Sequence, residues 1–183
     1  ITSLADKLDA DFSSVATTLA SATATVSADL TFTGTLGDVA LVLSGDAVLG
    51  LNISQADGAT VTGSGSVAVT GLTATADLSG LANSPSGAGE AITVTLAADA
   101  DLTFTGNLGG AKVIIPAGAS LTIGEGANVA GATFEVSSGD TLTLDAAVLD
   151  GSVSVVTPTG AEADSGRIVL NDVDATSDLS GIS

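Results

Sequence analysis

From about residue 23 the apolar residues fall into short runs with a spacing of two. Leu30 and Phe32 alternate with Thr31 and Thr33, and Val39, Leu41 and Leu43 follow the same rule. So do Leu49, Leu51 and Ile53, then Ile92, Val94 and Leu96, Leu121 and Ile123, Leu142 and Leu144, and Ile168 and Leu170. Successive side chains of a strand point to opposite faces, so this pattern describes strands with one face buried. The residues between are mostly Thr, Ser, Ala and Asp. Glycine, 23 of 183 residues, separates the runs and marks turns. Strands this short and this frequent predict an all-β sandwich, barrel or solenoid.

An internal repeat narrows the choice. Residues 28–37 read ADLTFTGTLG and residues 100–109 read ADLTFTGNLG, identical at 9 of 10 positions. Residues 58–61 (GATV) resemble 131–134 (GATF), and 74–81 (ATADLSGL) resemble 175–182 (ATSDLSGI). The motif Ala/Ser-Asp-Leu-Thr/Ser starts at 28, 76, 100 and 177; the first three starts are 48 and 24 residues apart, multiples of 24, and the fourth breaks the phase by 5, so rung length is not constant. A coil of about 24 residues, with three short strands and three turns, is a natural β-solenoid rung. The reading is therefore a parallel β-solenoid, or β-helix, over 23–183, with a loop or joint at 82–90. The alternative is two tandem β-sandwich-like repeats, which would be short for that fold.

The first 22 residues differ. Leu4, Leu8, Phe12, Val15 and Leu19 recur at helical spacing, and Ser3 with Asp6 is a weak capping box. This predicts an amphipathic helix over 2–20 that caps one end of the solenoid, whose open strand edges otherwise invite end-to-end growth.

Composition excludes several classes. With no His and no Cys there is no Ser-His-Asp or Cys-His machinery and no ordinary zinc or iron–sulfur site. The only cations are Lys7, Lys112 and Arg167 against 21 acidic residues, a net charge of −18, so nucleic-acid binding is not expected. No apolar run approaches the roughly 18 residues of a spanning helix, and membrane insertion is not expected. Ile1 with no Met anywhere reads as a processed protein or a segment of a longer parent chain.

Runs such as LTATADLSGL and TLTLDAAVLDGSVSV, in a Cys-free, Lys-poor, Gly/Ala/Thr/Asp-rich chain, resemble bacterial surface-layer proteins and large secreted adhesins. The resemblance is compositional and covers about 23–183. It implies a secreted or cell-surface, non-enzymatic, structural or adhesive segment of a layer, adhesin or fibre, with self-association as its partner interaction. The alternative is a ligand-binding module for calcium, glycan or ice. The nonapeptide calcium repeat of the repeats-in-toxin group is absent.

Three features could carry chemistry. Asp99/Asp101 and the stretch Asp172, Asp174 and Asp178 place hard oxygen ligands close together, as calcium needs, although the latter lacks the Gly and Glu of an EF-hand loop. Solvated surface carboxylates explain the same residues. Thr-x-Thr pairs at 23/25, 31/33, 60/62, 73/75, 93/95, 103/105 and 141/143 suggest the flat threonine ranks of β-helical ice-binding proteins, but their irregular intervals predict no clean rank. Carboxylate pairs suffice for glycoside hydrolysis, yet only four aromatics, Phe12, Phe32, Phe104 and Phe134, exist to hold a sugar. No catalytic residue and no cofactor other than calcium is expected.

Overall fold

A computed structural model describes residues 7–8, 22–83, 91–149, 153–156, 166–180 and 182. Every strand pairing recorded among them is parallel, and the chain is a β-solenoid with very little helix. This parallel pairing excludes tandem sandwiches, which need antiparallel sheets. The chain divides into two compact units, 1–70 with 77–93, and 71–76 with 94–183.

The first unit begins with β1 (Lys7–Leu8), β2 (Ala22–Val26), β3 (Leu30–Phe32), β4 (Val39–Leu43) and β5 (Val48–Asn52). A single helical turn, α1 (Ile53–Ala56), then precedes β6 (Val61–Gly63), β7 (Ser66–Thr70) and β8 (Leu81–Asn83). One sheet runs β2–β4–β6–β8; the other contains β1, β3, β5 and β7 in that order. Each coil thus contributes one strand to each sheet, with a short turn between them and a longer corner before the next coil.

Strand β9 (Ile92–Thr95) carries the chain into the second unit. There follow β10 (Asp101–Phe104), β11 (Lys112–Ile115), β12 (Ser120–Ile123), β13 (Thr133–Val136) and β14 (Thr141–Asp145). A 3-10 turn at Ala146–Val148, β15 (Ser154–Val156) and β16 (Arg167–Asn171) complete it. Its sheets run β10–β12–β14–β16 and β11–β13–β15.

The inward residues stack rung upon rung. Phe104, Ile123 and Leu144 form one column and Leu121 with Leu142 another, all buried. In the first unit, Leu41 lies between Ala24 and Val61, and Leu49 between Leu30 and Val67. Leucine, β-branched and aromatic side chains in register fill the interior with no need for polar partners. Asp140 is the exception: it is 1% exposed, its Oδ1 accepts the Gly118 N–H at 2.8 Å, and its Oδ2 has no partner.

The coils differ in length. Ala22 pairs with Val39 17 residues on, Asp101 with Ser120 19 on, Lys112 with Thr133 21 on, and Thr141 with Arg167 26 on. The coils therefore share no single 24-residue period, in keeping with the broken phase of the motif at 177. The motif spacing that suggested it mixes two structural roles. Asp29 and Asp101 stand at strand entries, whereas Asp77 and Asp178 open corner turns in which they accept the N–H of Ser79 (3.0 Å) and Ser180 (2.9 Å).

Two further expectations change. Lys7–Leu8 is an extended strand paired in parallel with Thr31–Phe32, so a helix does not run through those residues. An open edge of main chain on β3 wins there over the helical spacing of the apolar side chains. The rest of the proposed capping helix lies outside the described residues. At 82–90, Ala82 and Asn83 complete β8, and 84–90 lie outside the described residues.

Candidate functional site

The corner after β16 gathers three of the predicted calcium ligands. Asp172 has a left-handed backbone (φ 51°), a conformation that Asp tolerates better than most residues, and it turns the chain out of the strand. Asp174 Oδ1 then accepts the Thr176 N–H (2.8 Å), the Thr176 hydroxyl (2.8 Å) and the Ser177 hydroxyl (3.3 Å). The Asp174 N–H donates in return to Ser177 Oγ at 3.0 Å. Asp178 accepts the Ser180 N–H.

These bonds stabilise the ionised carboxylates. The Thr176 hydroxyl and N–H hold the Asp174 carboxyl below the usual range, and the Ser180 N–H and hydroxyl do the same for Asp178. Asp77 is lowered in the same way by Ser79. Asp172, Asp174 and Asp178 border one open cavity of about 240 Å³ floored by Ala146 and Leu149. Among the described residues, however, no three acidic side chains come close enough to hold one ion. The Oδ1 atoms of Asp174 and Asp178 already serve as turn acceptors.

Asp99 and Asp101 occupy different structural positions. Asp99 sits at the left-handed position (φ 56°) of a short turn, where the stacked turns of later coils carry Gly118 and Gly139 (φ 86° each). Asp101 begins β10 and points outward in register with Ser120 and Thr141. The expected second ligand pair therefore becomes one turn residue and one strand residue.

A second feature emerges on the outer face of β10–β12–β14. Thr103, Thr122 and Thr143 are direct parallel neighbours, and Asp101, Ser120 and Thr141 form the adjacent column. All six are partly or fully exposed, and none of the five hydroxyls is hydrogen-bonded. Column Thr103–Thr122–Thr143 continues to Val169, which keeps the methyl and loses the hydroxyl. No two Thr-x-Thr pairs stack on these strands, as their irregular intervals predict, yet single threonines from three coils fall into one column. Unequal coil lengths scramble the intervals in sequence while pairing restores the register in space. The three rungs read Asp-x-Thr at 101/103, Ser-x-Thr at 120/122 and Thr-x-Thr at 141/143, so a Thr-x-Thr pattern alone does not line them up.

No family model, curated protein or solved structure matches this chain.

Proposed function

We propose that the chain is a non-enzymatic structural or adhesive segment that works outside the cell, in a surface layer, adhesin or fibre, through self-association. The observation that carries this reading is the state of the aliphatic ladder at β16. Leu121 and Leu142 are fully buried between neighbours, whereas Ile168 and Leu170 are only half-buried. Among the described residues β16 is an edge strand, paired to β14 alone, with Val173 (53% exposed) and Leu179 (40%) nearby. A parallel edge backed by partly exposed core residues is a template for adding another strand.

The net charge of −18 opposes such contacts at low salt. Calcium enters this reading as a bridge between copies, with Asp172, Asp174 or Asp178 beside that edge supplying part of its ligands and the second copy the rest. The test is sedimentation and negative-stain imaging at matched ionic strength, with NaCl or millimolar CaCl2. Filaments or lattices, lost in Ile168→Lys, support the reading. Dispersed monomers in every condition would favour a ligand-binding module instead.

A further inference from the structure

We propose that the outer face of β10–β12–β14 binds ice, using Thr103, Thr122 and Thr143 with Ser120 and Thr141 as a preformed hydroxyl and methyl array. The five side chains occupy two adjacent columns, and each column steps from coil to coil by strand pairing without a register slip. Neighbouring strands in a sheet lie about 4.8 Å apart, so the hydroxyls of one column repeat at that distance. In a tetrahedral water network with O–H···O distances of about 2.75 Å, second-neighbour oxygens lie about 4.5 Å apart. A rank of hydroxyls at nearly that interval fixes waters at lattice positions, and the adjacent column at about 6.6 Å gives the face width.

Charge and hydrogen bonding favour a neutral, periodic partner over a macromolecule. The chain carries −18, yet the five residues at the centre of this face are uncharged; among the described residues Asp101, Asp145 and Arg167 border them. The outer face of β11–β13, by contrast, carries the Lys112–Glu135 ion pair at 2.7 Å. The five hydroxyls make no hydrogen bond within the described residues, so their donors and acceptors remain for water. Threonine is the suitable residue because β-branching restricts its χ1 and places a methyl and a hydroxyl on the same carbon. The inference is independent of the self-association reading, because it concerns a sheet face and not a strand edge.

The test is ice recrystallisation inhibition by the purified chain, with crystal shape at the growth front as a second readout and serum albumin at equal mass as the control. Inhibition by the wild type is expected. Thr122→Lys, at the centre of the array, should need a concentration at least about tenfold higher, and Ser120→Lys should behave alike. Both positions point outward, so circular dichroism and melting should be unchanged; if one variant misfolds, the other decides. A wild type no better than albumin overturns the proposal, as does full activity in both folded variants. Face-to-face dimerisation abolished by Thr122→Lys, or retention on crystalline polysaccharide without any effect on ice, also overturns it.

Discussion

Residues 28–37 and 100–109 are nearly the same peptide placed in different company. In both, a strand with a buried Phe (Phe32 or Phe104) runs into a bend, a buried Leu (Leu36 or Leu108) fills the corner, and a left-handed Gly (Gly37 or Gly109) leads out. Both strands precede the longer corner of their coil. Local sequence therefore dictates the corner. Outward neighbours differ: Thr31 lies beside Gly50, which lies beside Ala68, whereas Thr103 lies beside Thr122 and then Thr143. The same outward threonine is isolated in one unit and the first rung of an array in the other. What a strand shows to solvent is decided by its sheet partners, residues distant in sequence.

The largest expected effect lies in what the two copies share. Phe104→Ala should cost about 3–5 kcal/mol, and Phe32→Ala a comparable amount, measured by denaturant unfolding. A loss under 1 kcal/mol at either position would break the equivalence. Next comes the bend. A Cβ on Gly106 would stand 2.2 Å from the main-chain oxygen of Ala76, so Gly106→Ala should cost about 1–3 kcal/mol through forced backbone movement. Smaller still is the corner bond from the Gly109 N–H to Asn107 Oδ1, at 3.1 Å. Threonine occupies the matching position 35 in the other copy. Asn107→Thr should therefore be tolerated at a cost of about 1 kcal/mol or less.

The smallest expected effect concerns the corners opened by Asp77, Asp174 and Asp178. Each carboxyl is held below its ordinary value of 3.8 by turn donors, so the folded state favours the ionised form. That contribution is fully present above the unfolded value and disappears as pH falls through the lowered folded value. Stability measured from pH 7 down to about pH 2 should drop, and Asp174→Asn should make the drop shallower. A steeper drop in the variant would show that the Thr176 and Ser177 bonds do not favour the charged form. Because these groups are fully exposed, the effect should be modest.

Much of the fold could be read from residue order. Period-two runs such as Leu41–Leu43 and Leu142–Leu144 announce strands buried on one face, and the repeated decapeptide announces a coil. Coil register could not be read, because 17 to 26 residues separate paired positions and no single period exists to detect. That is also why the threonine array stayed hidden. Leu4, Leu8 and Phe12 suggested a helix, yet main-chain pairing to β3 takes Lys7–Leu8 into a strand. Sequence marks the acidic positions but not the turns they hold. Asp174 and Asp178 serve first as acceptors for the turns they open, a use that a ligand-counting motif does not anticipate. Buried Asp140 drew no notice in sequence, because it looks like any other turn Asp.

The central claim is the parallel register that stacks Thr103, Thr122 and Thr143. With no native Cys, nitroxide pairs can be placed cleanly at 103/122, 122/143 and 103/143. One strand step is about 4.8 Å and two about 9.6 Å. Continuous-wave spectra should therefore show strong dipolar broadening for the first two pairs and weaker broadening for the third. Absence of broadening at 103/122, or stronger broadening at 103/143 than at 122/143, would contradict the stacked-coil account.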